Sequence, residues 1–185
     1  MTAVLRKNPA QNGGHERYLH NARKLIALGW VAFQIAVWWY PNIDLIIVRS
    51  GHICFAMCLI FANSLRPILD IRYITNAIFM ALSFVPVIYY YANLDRLQSR
   101  ISGLDSVTSS DYAVFAILAV LLLESGRRIA GFAMVSVVLL AVAYQLGGGE
   151  IPLPWGHNQD SFSAFVDQQI LTLQGLYGVP LGVSV

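Results

Sequence analysis

Residues 111–147 read DYAVFAILAVLLLESGRRIAGFAMVSVVLLAVAYQLG, and the fold turns on this stretch. Two strongly apolar runs flank a charged knot made of Glu124, Ser125, Gly126, Arg127 and Arg128. A helix rises about 1.5 Å per residue and a hydrocarbon layer is roughly 30 Å thick, so each run is long enough, or nearly so, to cross one. The first run, residues 111–123, is short, and the second, 129–146, is near the usual length. A globular core rarely sets two such runs back to back around an arginine pair. A membrane protein does so because arginines in the cytoplasmic headgroup zone turn the chain. Two readings of the knot stand side by side. It is a cytoplasmic turn whose arginines anchor helix ends to phosphates, or an ion pair from Glu124 to Arg127 or Arg128, at i+3 and i+4, that fixes the geometry of the hairpin.

The composition points the same way. Of 185 residues, 57% are hydrophobic and 12% charged, with a mean hydropathy of +0.59. Soluble domains carry about 25% charged residues. Halving that fraction while keeping 12% aromatic residues implies an all-α integral membrane protein. A net charge of +2 is too small for a nucleic-acid binder, and the basic residues scatter near apolar boundaries, so no nucleic-acid partner is expected. Cys54 and Cys58 lie one helical turn apart in an apolar run with no accompanying ligand set, which makes them small packing residues.

Outward from the central stretch, residues 1–24 form a polar tail carrying Arg6, Lys7, Arg17, Arg23 and Lys24. No small-residue cleavage site follows the first apolar run, so the tail is expected to stay in the cytoplasm. Asn12, Gly13 and Gly14 argue against structure early in it. Residues 15–24 are expected to lie as a helix on the membrane surface, held by anionic lipid. A first span runs over 25–40, ends in Trp38, Trp39 and Tyr40 at the interface, and is broken at Pro41 and Asn42. A second covers 50–65, starting as early as Leu45, with Arg49 at its head; His52 within it is expected to hydrogen-bond a neighbouring helix. Arg66 and Pro67 stop it. A third covers 73–94, kinked by Pro86, with Tyr89, Tyr90 and Tyr91 forming an aromatic belt. After a polar connection, Ser109, Ser110 and Asp111 read as a helix N-cap followed by a dipole-favoured carboxylate. The fourth and fifth spans meet at the arginine pair, and Gly147, Gly148 and Gly149 end the fifth. Residues 161–172 form a further helix, expected at the interface or against another subunit because its apolar face is incomplete. The polar groups within the spans (Gln34, His52, Asn63, Asn76 and Ser136) are expected to face protein, since lipid exposure is costly.

The expected organisation is therefore a basic cytoplasmic tail over 1–24, a transmembrane helical domain over 25–147 and an outside or interfacial segment over 148–185. With the N-terminus inside, the tail cations, Arg66, Arg72, Arg127 and Arg128 lie in the cytoplasm, against Arg49, Arg96 and Arg100 outside. That bias favours five transmembrane helices with the N-terminus inside and the C-terminus outside. Were the stretch from Asp111 to Leu146 one bent helix, the count would be four and the C-terminus inside. No catalytic set emerges: of the four histidines only His52 lies within a span, His15 and His157 fall on opposite sides, and no nucleophile elbow or phosphate-cradling glycine loop is present. Neither enzyme activity nor a cofactor or metal is expected.

Three blocks carry a family resemblance. They are the LLExxRRxxG pattern from Leu122 through Glu124, Arg127 and Arg128 to Gly131, the RSGH block from Arg49 to His52, and the ending QGLYGVPLGVS from Gln174 through Gly178 and Pro180 to Ser184. Together they resemble the N-terminal region of fused permeases of the tripartite ATP-independent periplasmic (TRAP) transporters, of the type paired with TAXI-class binding proteins. The resemblance implies a small membrane subunit that scaffolds a large transport domain, where the sodium and substrate sites lie. It implies a periplasmic solute-binding protein that delivers organic acids or amino acids. Where the family pattern often has Glu, this chain has Gln174. The ending in Val183, Ser184 and Val185, still apolar, reads as the opening of a further hydrophobic unit.

Two functions from different classes follow. One is a scaffold subunit of a sodium-coupled uptake system, with a large permease subunit and a periplasmic solute-binding protein as partners. The other is a TRAP-derived accessory subunit packed against an unrelated respiratory or photosynthetic membrane complex, without transport of its own. In both, Arg49, His52, Glu124, Arg127 and Arg128 are the candidate structural and interface residues.

Overall fold

A computed structural model describes residues 9–40, 42–65, 71–152, 154–157, 161–178 and 181–182, with side chains from Arg17 onward. The stops expected at Pro41 and at Arg66 and Pro67 lie outside these residues, as do Arg6 and Lys7 of the tail, the His15 side chain, Val179, Pro180 and the last three residues. Among the described residues the chain is helical, with no strand.

The first helix, α1, is a single rod from Pro9–Trp39. The expected break at Asn12, Gly13 and Gly14 does not occur. Proline at the first helical position is pre-set for the helix, and two glycines at about 1 kcal/mol each do not interrupt a rod of 31 residues anchored further along. The anchor is Arg23, whose guanidinium donates to the carbonyls of Ala62 and Leu65, each at 3.0 Å. The Ala62 carbonyl also accepts from the Leu65 amide at 3.2 Å, so Arg23 adds a second donor where the next helix ends.

That next helix, α2 (Leu45–Asn63), is the centre of the molecule. The Asp44 carboxylate caps it by accepting from the Ile46 amide at 2.9 Å. Ile53, Met57, Phe61 and Ala62 bury their side chains. Gly51 lets α1 approach closely: a Cβ there would lie 2.6 Å from the tip of the Phe33 ring.

The third apolar stretch divides as expected, into α3 (Ile71–Leu82) and α4 (Val85–Ala92). Pro86 sits in the first turn of α4, where its missing N–H does least harm. The Ser83 hydroxyl turns back to the Phe79 carbonyl at 2.8 Å. The expected aromatic belt is not what forms. Tyr91 is 74% exposed, but Tyr90 is fully buried, donates to the Ile170 carbonyl at 3.0 Å and meets Tyr177 edge-on, while Tyr89 bonds Asp111. Pro86 is itself buried, and the turn before it directs these two rings inward.

A short helix, α5 (Leu94–Ser99), lies in the polar connection. Then α6 (Ser109–Ala130) starts one residue earlier than the sequence implies: Thr108, not Ser109 or Ser110, is the N-cap, and Asp111 closes a reciprocal capping box with it. The helix runs past the arginine pair and ends at Gly131, whose φ of +81° and extended ψ are accessible to glycine almost alone. From there α7 (Phe132–Gly147) returns along α6 as a hairpin rather than continuing as one bent helix. Phe115 and Leu122 of α6 face the same cavity as Leu146 and Leu139 of α7. The outer face of α7 is apolar and exposed, from Phe132 to Leu140. Ser136 is exposed as well, contrary to expectation, and satisfies itself on the Phe132 carbonyl. Asn63, at the end of α2, is likewise exposed.

A 3₁₀ turn at Gly148–Glu150 follows, and then α8 (Phe162–Ile170), capped by Ser161. The expectation of an interfacial helix is corrected here. Phe165, Val166 and Ile170 enter the core with Leu118 and Leu121 of α6 and with Tyr90 and Tyr177. The spacing of these residues gives the helix a buried face that the sequence count missed, because Val166 completes it.

Among the described residues three helices are long and apolar enough to cross a membrane: Leu45–Asn63, the broken pair Ile71–Ala92, and Phe132–Glu150. The first and fourth expected spans are not among them. In α1 the apolar run begins only at Leu25, and α6 carries Asp111, Glu124, Arg127 and Arg128.

Candidate functional site

The described charges separate to opposite ends of the bundle. Arg17, Arg23, Lys24, Arg72, Arg127 and Arg128 gather where α2 and α6 end, with Glu124 as their acidic neighbour. At the other end Asp44, Asp95, Asp105, Asp111, Glu150 and Asp167 outnumber Arg49, Arg96 and Arg100.

At the basic end the structure shows the ion-pair reading of the knot, within a helix that runs on through it. The Glu124 carboxylate holds both arginines, Arg127 through two bonds of 2.7 Å and Arg128 through one of 2.7 Å. Both arginines stand in the last turn of α6, where a helix end favours cations. Arg127, followed by Arg128, holds the Glu124 carboxyl down at about 2. Arg128 reaches further. It donates to the Asn76 side-chain oxygen at 2.6 Å and lies 4.9 Å from the centre of the Phe61 ring. Asn76 passes the tie on, donating to the Ser64 carbonyl at 3.1 Å. One cation thus joins α6 to α3 and to the end of α2.

In the middle, His52 accepts from the Gln34 side-chain amide at 2.7 Å and meets Trp30 edge-on. This is the helix–helix role expected for it, between α1 and α2.

At the acidic end the sequence reading missed most of the arrangement. Arg49, at the head of α2, donates to the carbonyls of Tyr177 and, at 3.3 Å, Gly178. Two of the three blocks that carry the family resemblance therefore meet in space. Arg96 pairs with fully buried Asp111 at 2.7 Å, and Tyr89 and Thr108 donate to the same carboxylate at 2.5 and 2.8 Å. Arg100 pairs with Asp167, which also accepts from Ser102 at 2.7 Å and from the Gly103 amide at 3.0 Å. Burial pushes the Asp167 carboxyl up, but Arg100, Ser102 and Gly103 together leave it lowered. Both aspartates stood in the sequence opposite arginines assigned to an exposed connection. The available signal was the matching of charges: two arginines in a polar loop, and one aspartate at the head of each following helix or within it.

Two cavities among the described residues bear on function. An apolar one of about 580 Å³ lies between α6, α7 and α8. A polar one of about 620 Å³ opens at the basic end. Cys54 and Cys58 are buried free thiols, and among the described residues no group of three or more His, Cys, Asp or Glu is placed to hold a metal ion. What this arrangement does chemically is hold helices together: Glu124 at one end, and Asp111 and Asp167 at the other, are engaged by arginines. Against protein-family models, curated proteins and solved structures, the chain gives no match.

Proposed function

We propose that this chain is a small membrane scaffold subunit of a TRAP-type secondary transporter for organic acids or amino acids. It sits in a bacterial inner membrane as five spans with the N-terminus in the cytoplasm, beside a large permease subunit served by a periplasmic solute-binding protein. The observation that carries this reading is the contact from Arg49 to Tyr177 and Gly178. Residues far apart in the chain, quoted separately for the family resemblance, act as one latch that holds the C-terminal segment to the head of α2. The charge separation supports the orientation, because the basic end belongs on the cytoplasmic side. The exposed apolar faces of α1 and α7 supply the surfaces that lipid and a permease would cover. The bundle braces its partner and does not itself move substrate.

Sodium-dependent uptake in cells that make this chain is the test. Replacing both arginines (Arg127→Ala with Arg128→Ala) is expected to lower the amount of assembled transporter and the uptake rate together, with relative preference among substrates unchanged. A changed preference at normal protein level would contradict a scaffold role.

A further inference from the structure

The polar cavity at the basic end is lined by Asn63, Ser64, Arg72, Thr75, Glu124 and Arg127, with Arg128 behind them. Among the described residues its charges do not cancel: three arginines face one carboxylate. Arg128 is committed to Glu124, Asn76 and the Phe61 ring. Arg127 gives two of its donors to Glu124, and its side chain stays 40% exposed. Arg72 is exposed and has no ion-pair partner among the described residues. The cavity also lies at the N-terminal end of α3, where the helix dipole favours an anion. The opposing dipole at the end of α2 is blunted, because Arg23 and Asn76 already occupy its last carbonyls.

The surroundings select among anions. Ile71, Ile74 and Ile78 are all exposed and lie one helical turn apart, forming an apolar stripe that runs down α3 from the cavity. A soluble anion would gain nothing from that stripe, whereas an acyl chain would cover it. We propose that the cavity binds the phosphate headgroup of one anionic phospholipid, with Arg72 and Arg127 as its cationic ligands and the acyl chains on the isoleucine stripe. Basic pockets between membrane helices on the cytoplasmic side recognise such headgroups, and guanidinium groups match phosphate geometry. The proposal does not depend on the transporter reading.

The test is native mass spectrometry of the delipidated full chain, titrated in turn with phosphatidylglycerol, phosphatidylcholine and inorganic phosphate. One phosphatidylglycerol is expected to be retained, with phosphatidylcholine bound more weakly and inorganic phosphate unable to displace it. Arg72→Gln should weaken phosphatidylglycerol about fivefold, the worth of one basic residue near an anionic surface, and Arg72→Lys should preserve most of it. Equal retention of phosphatidylcholine by the wild-type chain would overturn the proposal. So would displacement by inorganic phosphate, which would assign the cavity to a soluble anion, or unchanged retention by a folded Arg72→Gln variant.

Discussion

Glu124 concentrates the chemistry of the basic end in one side chain. Its folded pKa of about 2 lies below the ordinary 4.5. A carboxyl shifted in that direction adds stability that is complete above pH 4.5 and is lost as the pH falls through its folded value near 2. Thermal unfolding in detergent should therefore show a midpoint that declines over that window. Glu124→Gln should lower the midpoint at neutral pH and remove this part of the acid dependence; an unchanged profile would show that the ion pairs add nothing. The i+3 and i+4 spacing made this pairing legible in the sequence. The onward bond from Arg128 to Asn76 was not, because it joins residues 52 apart in the chain. His52 was legible in kind, as a partner in a helix–helix bond, though periodicity could not single out Gln34. Tyr89 and Tyr90 misled the reading because three adjacent tyrosines at a helix end resemble an interface belt, and only the turn before Pro86 decides which rings point inward.

At the scale of elements, hydropathy located the apolar segments well and their ends poorly. The break of the third stretch followed directly from Pro86. The hairpin between α6 and α7 followed from two apolar runs around a charged knot, but the bend itself moved to Gly131. Arginines do not break a helix; a backbone with φ of +81° does. Gly131→Ala should cost about 1–3 kcal/mol, the usual worth of a residue held where only glycine is at ease, and unfolding of the purified variant measures it. A cost near zero would mean that α7 does not depend on this turn to return along α6. The helix α8 was legible as a helix but not as part of the core, since its burial depends on Tyr90 and Tyr177, which are distant in sequence. Similarly, Gly13 and Gly14 were weighed by local propensity, which a long rod with a tertiary anchor at Arg23 overrides.

For the whole molecule, the central feature is a helical bundle tied at both ends by charges that engage one another, with apolar flanks left outward. The acidic end was the least legible part, because Arg49, Arg96 and Arg100 were counted as loop cations when each is bound within the fold. Arg23, Arg127 and Arg128 are engaged at the opposite end as well, so the orientation argument rests on the number of cations at each end. A reporter fused in the connection near Gly103 should be active only in its periplasmic form, and activity in the cytoplasmic form would reverse the topology. The most direct measurement of the scaffold reading is purification of the full chain from its native membrane in mild detergent, with identification of what accompanies it in fixed ratio by mass spectrometry. The account predicts a large permease of many spans together with a periplasmic solute-binding protein. A respiratory or photosynthetic complex in fixed stoichiometry, with no permease, would contradict it.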